Sequence, residues 1–334
     1  MPQIGILGTT GWATTLGILS ARAGNRTVLW ARTPAEAELL QTDRENRRLL
    51  PGAAFPEQLT VTADSAEALG TAEVVLIAVP SVTMRRNLQK ARDAINPDAI
   101  IVCATKGIEI SSGKRMSELI ADELTAHNGA IGVISGPNLA PEIASGKAAS
   151  ATVAIKDTSA AETVQQALNT QLFRLYTNSD VTGVELGGAL KNIIAIGAAF
   201  IDGFGLGANA KAAFVTRGLH EITRLGVSMG ARPETFAGLS GMGDLIATCY
   251  SALSRNYRLG VALAEGRSLD DALESLGGTA EGVPTTRAAI RLADQRGVEM
   301  PITMATEAVI SGKLKPEDAA AVLMARKPQP EIRF

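Results

Sequence analysis

The run IGILGTTGWATTLGIL, residues 4–19, decides how the first half of the chain is read. Ile4 to Leu7 is a short apolar, β-prone stretch, a Gly-containing turn follows, and a helical pattern takes over from there. That is the order of a strand–turn–helix unit built to bind a dinucleotide. The fingerprint of such a loop is G-x-G-x-x-G/A, and its three positions fall on Gly8, Thr10 and Ala13. Alanine is tolerated at the last position. Threonine at the middle one is a departure, because a glycine there lets the backbone approach a pyrophosphate closely. Gly11 is expected to supply the missing backbone freedom, and Thr10 to push the phosphate outward. The plainer reading is an ordinary strand-to-helix turn. Nucleotide binding is favoured over it by the loop's place after a first strand and by the affinity of a helix start for phosphate.

Working outward, short apolar runs alternate with helical patterns. Thr27 to Trp30 reads as a second strand, and EVVLIAVP (73–80), AIIVCATKG (99–107) and AIGVISGP (130–137) are apolar on both faces, as central parallel strands are. Each ends in small or polar residues, which places a ligand-binding edge at the carboxyl ends of the strands. After FRLYTNSD (173–180) the texture becomes Ala- and Gly-rich with helical period. The expected fold is therefore α/β: a Rossmann-like, doubly wound parallel sheet over residues 1–180, a dinucleotide-binding domain, followed by an all-helical, substrate-binding domain over 181–334.

At 334 residues, two domains are the natural division. Lys plus Arg (32) nearly balance Asp plus Glu (34), which argues against a nucleic acid or a membrane surface as partner. Aromatic residues make up only 4%, too few for a base-stacking platform. Two cysteines and two histidines, without ligand spacing, give no expectation of a metal or a disulfide framework. The chain enters a strand at once and shows no apolar run of membrane-spanning length, so a cytoplasmic protein without a membrane segment is expected. A small-molecule substrate is the expected partner, and a homodimer is compatible with it.

Four groups of residues could carry chemistry. The second strand ends in VLWARTP, with Arg32 where an acidic residue would grip a ribose hydroxyl. An arginine there suits a 2′-phosphate, which favours NADP(H) over NAD(H) without excluding the latter; a solvated surface arginine is the competing reading. Lys106 follows a strand, and Lys191 lies in the middle of a long apolar helix, where a lysine seldom sits without a reason. Reduction of a carbonyl needs a proton donor, and with two unremarkable histidines a lysine is the better candidate. Finally, GLSGMGDLIATCYSALSRNYRLG (238–260) crowds glycines around Asp244 and then sets Ser254, Arg255 and Asn256 together. Arginine suits a phosphate dianion, although a helix-connecting loop with ordinary caps would look similar.

Taken together, ATKG (104–107), VISGP (133–137), the long run from Gly183 to Leu219, GLSGMGDLIATC (238–249), SRN (254–256), EG (281–282) and GVEMPIT (297–303) resemble the signatures of the NAD(P)-dependent glycerol-3-phosphate dehydrogenase family, soluble bacterial type. The resemblance covers nearly the whole chain, in order. It implies reversible reduction of dihydroxyacetone phosphate to sn-glycerol 3-phosphate, the backbone of glycerophospholipids. It implies Lys191 as general acid/base, with Lys106 and Asp244 beside it in the chemistry, and a substrate site of Lys106, Gly136, Asn138, Lys191, Asp244, Ser254, Arg255 and Asn256. It implies cofactor contacts at Gly8, Gly11, Trp12, Arg32, Lys106, Ala140, Arg255 and Glu281. The loop is the chief departure, since the family usually reads Gly-Ala-Gly-Ser-Trp-Gly there; Asn138 stands where the family commonly has a hydroxyl residue. A related hydroxy-acid dehydrogenase and a non-catalytic dinucleotide sensor are the alternative readings.

Overall fold

The computed structural model of the chain describes residues 2–277, 279–327 and 330–331. These fall into two compact units, one of Met1–Lys106 with Lys114–Glu185 and one of Gly107–Gly113 with Leu186–Phe334.

The first unit is built on an eight-stranded sheet: β1 (Gln3–Leu7), β2 (Arg26–Trp30), β3 (Leu59–Thr62), β4 (Val74–Ile77), β5 (Ile100–Cys103), β6 (Ile131–Ser135), β7 (Ala149–Ala154) and β8 (Phe173–Asn178). The strand order is 3-2-1-4-5-6-7-8. β1 to β6 run parallel, whereas β7 pairs antiparallel with β6 and β8 runs parallel to β7. The first six strands thus have the Rossmann order, and the chain reverses its winding between β1 and β4. β3, β7 and β8 add to the strands expected from sequence, and the reversed β7–β8 pair is a departure from an all-parallel sheet.

Both faces of the central strands are buried because their side chains alternate between two apolar cores. Ile4, Ile6, Leu76 and Val102 face one core, with Leu16 and Leu19 of the helix Gly11–Arg22. Leu7, Val75, Ile77 and Ile101 face the other, with Met84 and Leu88 of the helix Met84–Ala91. Helices on both faces of a mostly parallel sheet leave its edge of strand ends as the place where polar groups converge. A Leu76→Ala change in this core would cost about 2–5 kcal/mol.

The second unit is helical. Its principal elements include the 23-residue helix Val181–Gly203, which enters it from the first unit, then Gly207–Ser228, Asp244–Tyr250, Arg255–Ala264, Gly282–Arg296 and Pro301–Ile310. Contrary to the reading that no apolar run reaches spanning length, Val181–Gly203 is long and apolar enough to cross a membrane. Its apolar window is buried entirely within the protein, so the composition that suggests a bilayer is that of a core helix. Glu221 on Gly207–Ser228 is also buried; its carboxylate accepts from the Ile302 and Thr303 N–H groups (both 2.8 Å) and from the Thr303 hydroxyl (2.6 Å), capping the helix Pro301–Ile310 from outside.

Candidate functional site

In the first unit the carboxyl ends of β1, β4, β5 and β6 bring Gly8, Ala78, Lys106 and Gly136 to one edge. Gly8 has φ +119°, and a Cβ there would stand 2.9 Å from both the Ala78 carbonyl oxygen and Val79 Cγ1. Only glycine lets the loop turn this close to β4. Gly11 is different from what the sequence suggested. Its backbone is not in the left-handed region; what it supplies is space, because a Cβ would stand 2.9 Å from the Leu49 carbonyl oxygen. The covering segment is held by buried Asn46, whose amide donates to the Thr9 carbonyl (3.0 Å) and the Thr14 hydroxyl (2.9 Å) while its oxygen accepts from the Leu49 N–H (3.2 Å).

Thr10 is the N-cap of the helix Gly11–Arg22. Its hydroxyl accepts from the Ala13 N–H (3.1 Å) and donates its proton to the Ala78 carbonyl (2.7 Å). Threonine therefore closes the loop onto β4 and consumes one of the helix's opening N–H groups. The Gly11 and Trp12 N–H groups, in the first turn, have no intrahelical partner.

Two half-buried side chains at this edge carry buried polar atoms without a hydrogen-bond partner among the described residues: Trp12 Nε1, and both Nδ2 and Oδ1 of Asn138. Buried orphans of this kind are rare unless something outside the chain satisfies them. An indole donor, an amide with donor and acceptor, and a helix start suit the amides, hydroxyls and phosphates of a dinucleotide. Ala140 opens the helix Ala140–Ala144, and its carbonyl meets the Thr15 hydroxyl (3.4 Å) beside the Gly-rich loop. Lys106 donates from Nζ to the Gly136 carbonyl (3.1 Å). Arg32 lies just past β2 with its side chain 64% exposed, paired to Glu36 (3.4 Å). Glu36 in turn accepts from the Thr9 hydroxyl (2.7 Å) and the Arg32 N–H (3.3 Å). The carboxylate that the sequence reading found missing after β2 is thus present, four residues on.

In the second unit Lys191 is buried, and its ammonium donates to the Asp244 carboxylate and to the Thr248 hydroxyl (2.5 Å). Asp244 opens the helix Asp244–Tyr250, a favourable place for negative charge, and Thr248 lies one turn on along the same face. Thr248 donates its own proton to the Asp244 carbonyl (2.6 Å), so its lone pairs face Lys191. A π-type turn, closed by the Gly243 N–H on the Gly238 carbonyl (3.1 Å), feeds this helix.

Ser254 caps the helix Arg255–Ala264 by accepting from the Tyr257 N–H (3.2 Å). Arg255 is exposed at its first position and makes no hydrogen bond or ion pair with a described residue. Asn256 is buried, and its side-chain oxygen accepts from the Gly282 N–H (2.8 Å), which brings Glu281 and the start of Gly282–Arg296 next to the Ser254–Asn256 corner. Behind that corner Lys211 lies 4.1 Å from the Tyr250 ring centre and 5.1 Å from that of Tyr257, and pairs with Asp202 (2.5 Å). Lys191, Asp244, Ser254, Arg255, Asn256 and Glu281 thus belong to one unit, and Gly8, Gly11, Trp12, Arg32, Lys106, Gly136, Asn138 and Ala140 to the other. Asn46, Glu36 and Thr248 are additions that no local sequence signal marks.

Two family models match the chain: the N-terminal part of NAD-dependent glycerol-3-phosphate dehydrogenase over residues 3–161 and its C-terminal part over 180–321. A glycerol-3-phosphate dehydrogenase [NAD(P)+] of Sphingopyxis alaskensis is 47% identical over 312 residues, covering 93% of this chain and 92% of that one. One from Dehalococcoides mccartyi is 46% identical, covering 99% and 93%. The crystal structure of the Coxiella burnetii glycerol-3-phosphate dehydrogenase superposes with a TM-score of 0.92 at 35% identity, covering 97% and 99%. The Rossmann edge, the buried lysine–aspartate pair and these likenesses agree: the chain belongs to the NAD-dependent glycerol-3-phosphate dehydrogenase family.

Proposed function

We propose that the protein catalyses reversible, NAD(P)H-dependent reduction of dihydroxyacetone phosphate to sn-glycerol 3-phosphate in the cytoplasm, supplying the backbone of glycerophospholipids. The observation that carries this reading is Lys191, a buried ammonium held by Asp244 and Thr248 in a family of this activity. The first unit takes the dinucleotide through Gly8, Gly11, Trp12, Arg32, Lys106 and Ala140; Asn138 and Gly136 border the substrate. When bound, the dihydronicotinamide supplies the hydride for C2 of the substrate. Lys191 gives a proton to the C2 oxygen as negative charge grows there and takes it back in the reverse direction. Asp244 and Thr248 fix where that ammonium points. Lys106 contributes positive potential toward the substrate. Arg255, Asn256 and the start of their helix bind the phosphate, turning remote binding energy into alignment of the carbonyl.

The test is NADPH oxidation with dihydroxyacetone phosphate, with dihydroxyacetone, and with an oxo-acid of similar size. Turnover with the phosphate ester alone supports the proposal; preference for the oxo-acid would replace it with a hydroxy-acid dehydrogenase. In Arg255→Ala, KM for the phosphate ester should rise at least tenfold while the poor rate with dihydroxyacetone changes little. Equal damage to both substrates would remove Arg255 from the phosphate site.

A further inference from the structure

Beyond the end of β2 lies a cleft of about 830 Å³ whose two walls carry different charge. One wall is Arg32, Glu36, Asp43, Glu45, Arg47 and Arg48; the other is the helix Met84–Ala91, which contributes Arg86, Asn87 and Lys90. On the first wall most of the cations are already matched. Arg32 pairs with Glu36 (3.4 Å), and Arg47 with Asp43 (3.5 Å) and Glu45 (3.9 Å). Arg86 and Lys90, four residues apart and so on one helix face, form no ion pair with a described residue, and neither does Arg48. The positive potential of the cleft therefore comes chiefly from these three, not from Arg32.

Resting on the dinucleotide reading above, we propose that Arg86 and Lys90 are the specificity-determining residues for a 2′-phosphate on the adenosine ribose, with Arg48 facing them. The position suits that role, because the cleft opens beside the loop that follows β2, where Rossmann folds discriminate the ribose 2′ substituent. Glu36, fixed by Thr9, stands ready to accept from a free 2′-hydroxyl, so the first wall alone would suit NAD(H). The second wall adds a guanidinium fork and an ammonium point charge, the pair of chemistries that a phosphate dianion takes best. Discrimination in favour of NADP(H) is then a property of the helix after β4 rather than of the arginine after β2.

Calorimetric titration of 2′,5′-ADP and of 5′-AMP into the whole protein tests this without turnover. The wild type should bind 2′,5′-ADP at least tenfold tighter than 5′-AMP, with the advantage shrinking as salt rises. Arg86→Ala with Lys90→Ala should reduce that ratio to near one, Arg86→Lys should keep part of it, and Arg32→Ala should change it less than the double variant does. Both residues are exposed, so thermal unfolding of the variants should match the wild type. An unchanged ratio in the double variant, or no preference in the wild type, overturns the proposal. NADH titration separates the two levels: if NADH binds, the dinucleotide reading stands whatever Arg86 does, and if neither dinucleotide binds, both fall.

Discussion

Lys191 shows what a single charged residue does to a helix that is otherwise apolar. Its ammonium is held in the core by hydrogen bonds that Asp244 and Thr248 receive, and removing one partner of such a pair leaves a buried charge. Lys191→Met should lower kcat by about 10²- to 10⁴-fold with nucleotide affinity nearly unchanged, checked by steady-state kinetics alongside NADPH titration. Near-normal turnover would take Lys191 out of the mechanism. Thr10 gives a prediction with two opposite signs. Thr10→Gly loses the bond to Ala78 and the cap on Ala13, so thermal stability should fall, by about 0.5–1.5 kcal/mol. The same change releases the Ala13 N–H and clears the threonine carbons from the loop, so NADPH should bind several-fold tighter. A variant that is less stable and also binds more weakly would show that the cap holds the loop in its binding shape.

Elements are held here by side chains reaching across from other elements, and Glu221 is the clearest instance. Burial pushes its carboxyl up, against the lowering effect of the Thr303 and Ile302 donors. A raised value in the folded state means that the folded protein keeps a proton which the unfolded chain gives up. The stability from this group is therefore present below about pH 4.5, the ordinary carboxyl value, and declines as pH climbs through the raised one. In Glu221→Gln that decline should vanish, so the stability gap between wild type and variant should narrow with rising pH in denaturant unfolding from pH 4 to 8. A constant gap would mean that Glu221 keeps its ordinary value. The same long reach explains what was legible in sequence. Lys191, Asp244 and the Ser254–Asn256 cluster stand out because each breaks a local pattern that periodicity makes visible. The strands β1, β4 and β5 stand out because they are apolar on both faces. β7, ASATVA, is built from small residues, and its reversed direction is settled by pairing with β6, which no local pattern encodes. Glu36 and Asn46 leave no local signal for the same reason, since their partners Thr9 and Thr14 lie 27 and 32 residues away in the chain.

At the scale of the molecule, the reactive side chains are sealed. Cys103 and Cys249 are both buried; burial pushes both thiols up, Cys249 to about 12 despite the neighbouring Lys191 and Lys211. Thiolate is the reactive form, so neither should be alkylated at neutral pH in the native protein, and both should react after denaturation. Fast labelling of one thiol under native conditions would reveal local opening around it. The aromatic side chains have a further consequence. Both tryptophans, Trp12 in the Gly-rich loop and Trp30 at the end of β2, belong to the first unit, while Tyr250 and Tyr257, two of the three tyrosines, flank Lys211 in the second. The chain therefore carries a natural pair of optical reporters. Emission excited in the tryptophan band alone follows the first unit and the indole whose nitrogen lacks a partner among the described residues, and tyrosine absorbance follows chiefly the second, so the melting of each can be watched separately without a label.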